Sequence, residues 1–92
     1  MQKLNDQQVQ EALSKLSGWT LSNGEIVHDR TFRDFVQAMA FVNRIAEQAE
    51  AKGHHPDIDI RYNRVKLALV THDAGGITAK DVEMATILNN LE

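Results

Sequence analysis

The chain has 92 residues, 42% of them hydrophobic and 25% charged, with a net charge of −3 and no cysteine. That describes one small globular domain with a modest core, and it excludes a disulfide framework and thiolate chemistry. No apolar run approaches the roughly 20 residues a membrane helix needs, no signal-peptide core opens the chain, and no basic run supports unassisted nucleic-acid binding; the expected setting is cytoplasmic.

Asn5 or Asp6 can cap a first helix, with Gln8 in a capping-box relation to Asn5. Val9, Ala12, Leu13 and Leu16 follow at helical spacing, and Gly18 is a suitable C′ residue. So narrow an apolar stripe suits a surface helix. Trp19–Ser22 and Glu25–Phe32 read as strands joined by Asn23-Gly24, a strong hairpin signal because both loop residues need positive φ. Pairing Leu21 with Ile26 puts Trp19 opposite His28. Arg30 shares the face of Ile26 and Phe32, which makes this strand less regular. His28 reads as a partly exposed strand residue outside any site.

Asp34 can cap a second helix, in which Phe35, Ala38, Met39, Val42, Ile45, Ala46 and Ala49 form a broad apolar face. Met39 is core filler there, not a ligand. Gly53 ends the helix and Pro56 prevents a restart. Glu50 therefore falls in the last turn, next to His54-His55.

Ile58, Ile60 and Tyr62 alternate with Asp59 and Arg61, and Val65, Leu67 and Leu69 alternate with Lys66, Ala68 and Val70. Both are strands with one buried face. With Asn63-Arg64 as the loop, Tyr62 faces Val65, Ile60 faces Leu67 and Ile58 faces Leu69. Continued outward, this register sets His55 across from His72, where β-carbons stand roughly 4.5–5.5 Å apart. The strand face of Asp59, Arg61, Lys66, Ala68 and Val70 is left uncovered. Gly75-Gly76 is too short for a phosphate loop. Thr78 caps a third helix with Asp81 in the capping-box position, and Met84, Ile87, Leu88 and Leu91 form its apolar face. The predicted fold is α+β, a two-layer single domain over residues 1–92. It has a four-stranded antiparallel sheet with three helices on one face, in the order α-β-β-α-β-β-α.

The chemistry concentrates between Glu50 and Asp81, which hold three of the four histidines, the only proline and the only tyrosine. Histidine titrates near neutral pH, so His54, His55 and His72 can exchange protons at pH 7. A zinc site built from these histidines and a carboxylate is the competing use. Adjacent residues of an extended chain point to opposite sides, so His54 and His55 would not readily chelate one ion. By themselves, Glu50 reads as a solvated charge at a helix end, Tyr62 as core on the Ile58–Ile60 face, and Asp81 as a cap rather than an acid.

The pattern Glu50-x3-His54-His55-Pro56-x5-Tyr62-x9-His72-x8-Asp81 resembles the signature of the pterin-4a-carbinolamine dehydratases. Gly18-Trp19, the run from Phe32 to Val42 and the Ala46–Glu50 helix end extend the resemblance over nearly the whole chain. It implies a four-stranded antiparallel sheet with three helices on one side. It implies loss of water from 4a-hydroxytetrahydropterin, giving quinonoid dihydropterin, with His54, His55 and His72 catalytic and Glu50, Pro56 and His55 binding or orienting the substrate. No metal and no cofactor beyond the pterin substrate is implied. Family members form homodimers or homotetramers and serve aromatic amino acid hydroxylases. Animal members also bind a homeodomain transcription factor, a role not implied for this chain.

Within that reading His54 acts as acid at the departing hydroxyl, His72 as base or orienter, and His55 binds the ring. Glu50 would fix a histidine tautomer or favour its charged form. Gly53 stands where many relatives carry an acidic residue and Ile58 where many carry an aromatic. Both differences bear on substrate affinity more than on proton transfer. The alternative is an interaction or dimerisation module of the same fold without a catalytic role, and the intact histidines count against it.

Overall fold

In the computed structural model, which describes residues 2–91, the Asn23-Gly24 pair takes the left-handed backbone, with φ of 52° and 80°. A type I′ hairpin turn needs this conformation at both loop positions. The turn joins β1 (Trp19–Ser22) to β2 (Glu25–Thr31). Trp19 stands opposite His28 and Leu21 opposite Ile26, as the Asn-Gly register predicts. β2 pairs next with β4 (Arg64–Leu69), and β4 with β3 (Asp57–Arg61), all antiparallel, giving the sheet order β1-β2-β4-β3.

One face of this sheet is apolar. Ile26, Val65, Leu67 and Leu69 are buried there beneath α2 (Phe35–Lys52) and α3 (Ala79–Asn89), which contribute Phe41, Ile45, Met84 and Leu88. The short helix α1 (Asp6–Leu13) adds Val9 to the same core. Asp29, Asp59, Arg61 and Lys66 lie exposed on the other face. The helix order and the sheet are therefore those predicted. Arg30 shares the apolar face, and its guanidinium stacks 5.0 Å from the ring centres of Phe32 and Phe41. That contact offsets part of the cost of placing a cation there.

Phe35 and Ala46 are exposed rather than part of the buried face of α2, and three further expectations are corrected. α1 stops at Leu13 rather than running to Gly18. The chain continues in tight turns through Lys15 and Leu16, whose amides bond to Ala12 and Leu13. The β3–β4 loop is Tyr62-Asn63, not Asn63-Arg64, so Ile58 pairs with Leu67 and Ile60 with Val65. The slip is even, so the apolar face is preserved, but His55 no longer falls across from His72. The ladder ends at Asp57 and Ala68, before either histidine. Thirdly, Tyr62 is not core: it sits in the turn at φ 52° and is 67% exposed. Asn63 explains the register. Its carbonyl accepts from the Phe32 amide at 2.7 Å and its side-chain amide donates to the Phe32 carbonyl at 2.9 Å, tying the turn to the end of β2.

Candidate functional site: a histidine pair held by two carboxylates

The end of α2 places the first two histidines. Gly53 adopts φ 64°, the left-handed conformation that closes a helix, and the amides of Gly53 and His54 both donate to the Ala49 carbonyl. The chain then turns off through His54, His55 and buried Pro56 into β3. Pro56 thus orients this segment from within and offers little surface to a substrate.

The His54 ring turns inward. Its Nε2 lies 2.6 Å from Oδ1 of Asp81, with the histidine side chain 14% exposed and the carboxylate fully buried. Asp81 is also the cap the sequence predicts. Its Oδ2 accepts from the Thr78 amide at 2.8 Å, completing the capping box of α3, and from the Thr71 hydroxyl at 2.9 Å. One carboxylate therefore starts a helix with one oxygen and holds a histidine with the other. The capping pattern disclosed the first task and gave no sign of the second. His54 and Asp81 belong to different elements, and only the packing of the α2 end against the start of α3 brings them together.

His55 turns outward. Its Nε2 lies 2.6 Å from Oε2 of Glu50 in the last turn of α2, and both side chains are largely exposed. His72 is exposed and opens a 3₁₀ turn (His72–Ala74) that ends at Gly75, in the left-handed conformation at φ 76°. A bridge between Thr71 and Gly76 closes this loop, and the Thr71 hydroxyl ties it to Asp81. His54 and His72 are thus connected through Thr71 and Asp81, whereas His55 has its own partner in Glu50. Among the described residues no three His, Asp or Glu side chains converge as a metal site would require.

His28 lies elsewhere on the sheet, its ring 5.1 Å from that of Trp19. Burial, and secondarily the charge of Arg30, hold its pKa below 6.5. A groove of about 570 Å³ between α1 and α3, lined by Leu16, Val82 and Asn89 among others, contains no histidine and is separate from the cluster.

Fold and site together define a small two-layer α+β protein in which His54 and His55 are each held by a carboxylate, one inside and one at the surface. The chain belongs to the pterin 4 alpha carbinolamine dehydratase family, whose sequence model matches residues 2–91. A relative from Acidobacterium capsulatum, named for pterin-4-alpha-carbinolamine dehydratase, is 56% identical over 99% of each chain. Another of that name, from Trichormus variabilis, is 51% identical over 98% of this chain and 97% of its own. A crystal structure from Brucella melitensis, described as a transcriptional coactivator/pterin dehydratase, superposes with a TM-score of 0.91 at 36% identity, covering 95% of both chains.

Proposed function

We propose that the protein dehydrates 4a-hydroxytetrahydropterin to quinonoid dihydropterin by general acid–base catalysis. The C4a–O bond breaks as the hydroxyl takes a proton and leaves as water. A ring nitrogen gives up its proton to a base, and no electrons are exchanged with another reactant. Positioned acids and bases each contribute typically 10²–10⁴-fold, so two or three histidines suffice for such a reaction.

The observation that carries this reading is the 2.6 Å contact between His54 Nε2 and buried Asp81. A carboxylate accepting at both oxygens makes Nε2 the donor, which leaves Nδ1 of His54 as the nitrogen free to exchange a proton. His54 is assigned the acid role at the hydroxyl, and His72, on the loop tied to the same carboxylate, the role of base or orienter. His55 binds the ring, and Glu50 at 2.6 Å sets its orientation. The pterin is substrate, and no further cofactor is invoked. Recycling of the pterin for an aromatic amino acid hydroxylase, a homodimer or homotetramer, and a cytoplasmic setting complete the proposal.

The test is a direct assay on freshly generated 4a-hydroxytetrahydropterin. The reading expects acceleration well above the spontaneous rate, and an unchanged rate at saturating protein contradicts it. A second reading, an interaction module without catalysis, draws on the coactivator description of the Brucella protein and on exposed Phe35 and Val36 at the start of α2. It predicts a folded protein with no effect on the dehydration rate.

A further inference from the structure

We propose that Thr71 is a positioning residue for His54, acting through Asp81, and that it holds the loop bearing His72 to the same carboxylate. This inference rests on the dehydratase reading for its kinetic consequence, but its structural part stands without it.

The hydrogen bonds fix a direction. A carboxylate only accepts, and a hydroxyl has one proton to give. The Thr71 hydroxyl donates to Asp81 Oδ2 at 2.9 Å. Its proton spent, Thr71 Oγ1 must accept in its 2.8 Å contact with the Thr78 hydroxyl. Thr78 Oγ1 in turn accepts from the Lys80 amide at 3.2 Å, and the Thr78 amide donates to Asp81 Oδ2. The chain of donors thus runs from the first turn of α3 through Thr78 and Thr71 into one oxygen of Asp81. Oδ2 then holds two donors, and Oδ1 faces the Nε2–H of His54.

Asp81 and Thr78 are fully buried and Thr71 is partly buried, which limits the solvent that can replace a missing member. A buried polar network is strong when complete and costly when one partner is lost. Without the Thr71 hydroxyl, Asp81 Oδ2 keeps only the Thr78 amide and the carboxylate is held less firmly. The Thr78 hydroxyl loses its acceptor as well. His54 would lose its single orientation, and the loop beginning at His72 would lose its tie to Asp81.

The experiment pairs nitrogen NMR on protein labelled at histidine with kinetics, for wild type, Thr71→Val and Thr71→Ser. In the wild type, His54 is expected as the Nε2–H tautomer with a slowly exchanging proton. Thr71→Val should show mixed tautomers or fast exchange at His54 and a kcat lower by roughly 10–100-fold, by analogy with the partners that orient metal-bound histidines. Its KM should change little, because the role proposed for Thr71 is to orient His54 and not to bind the pterin. Thr71→Ser should restore both readouts. A wild-type His54 protonated at Nδ1, or a valine variant with the wild-type His54 spectrum, overturns the proposal. If the valine variant does not fold, Thr71→Ala, which also lacks the hydroxyl donor, takes its place with the same two readouts. A wild type with no dehydratase activity but the expected His54 spectrum counts against the proposed function and leaves the positioning role supported by NMR.

Discussion

Asp81 follows His54 by 27 residues and meets its Nε2 at 2.6 Å, while the other carboxylate oxygen caps α3. Asp81→Asn separates the two tasks. The amide can still accept from Thr78, but its NH₂ must then face His54, which forces Nε2 to accept and moves the ring proton to Nδ1. We expect kcat to fall by roughly 10²–10⁴-fold, as when a positioned acid or base is lost. Stability should fall by about 1–3 kcal/mol, the cost of an impaired buried hydrogen bond. Steady-state kinetics and urea unfolding read the two effects separately.

Gly18 is constrained by His28. It sits at φ 87°, and a Cβ there would lie 2.7 Å from the His28 Nε2. Gly18→Ala should destabilise by about 1–2 kcal/mol from the backbone conformation alone, plus the cost of displacing the ring from Trp19. In a His28→Ala background only the backbone part should remain. A double-mutant cycle by urea unfolding measures the coupling.

His28 also gives stability a pH dependence. Its folded pKa lies below the unfolded value of 6.5, chiefly through burial and then through Arg30. The unfolded chain therefore binds the proton more readily, and stability rises with pH in this window. The contribution is complete above about 6.5 and is lost as pH falls from there through the folded pKa. His28→Gln should flatten this part of a stability-versus-pH curve measured by chemical denaturation.

The layers, the strand order along the chain and the three caps follow from local signals: apolar periodicity, Asn23-Gly24, Gly53, and Asn5, Asp34 and Thr78. The β3–β4 register did not follow. Tyr62 resembles a strand residue in pattern, and only the long-range bonds between Asn63 and Phe32 hold it in the turn. Site residues were legible as a cluster of titratable groups, but their pairing was not. His54 and His55 are neighbours in sequence and bond to different carboxylates on opposite sides of the chain. Thr71 carried no signal, because its importance comes from where α3 begins.

Assembly is the fourth expectation. Val36 is 71% exposed at the start of α2, with Phe35 beside it, and both β1 and β3 are edge strands. Exposed apolar side chains and open edges favour association. Sedimentation should find a dimer or tetramer at micromolar concentration. Val36→Glu should shift the population toward smaller species if α2 forms a contact, whereas a monomeric wild type would contradict this expectation.

The central claim is that His54 and His72 act on one substrate, and the most direct measurement is the dehydration rate of wild type, His54→Ala, His72→Ala and the double variant under identical conditions. Each single change should lower kcat by about 10²–10⁴-fold. Groups that work on one transition state are not additive, so the double variant should lose far less than the product of the two. Folded single variants with full activity would contradict the account.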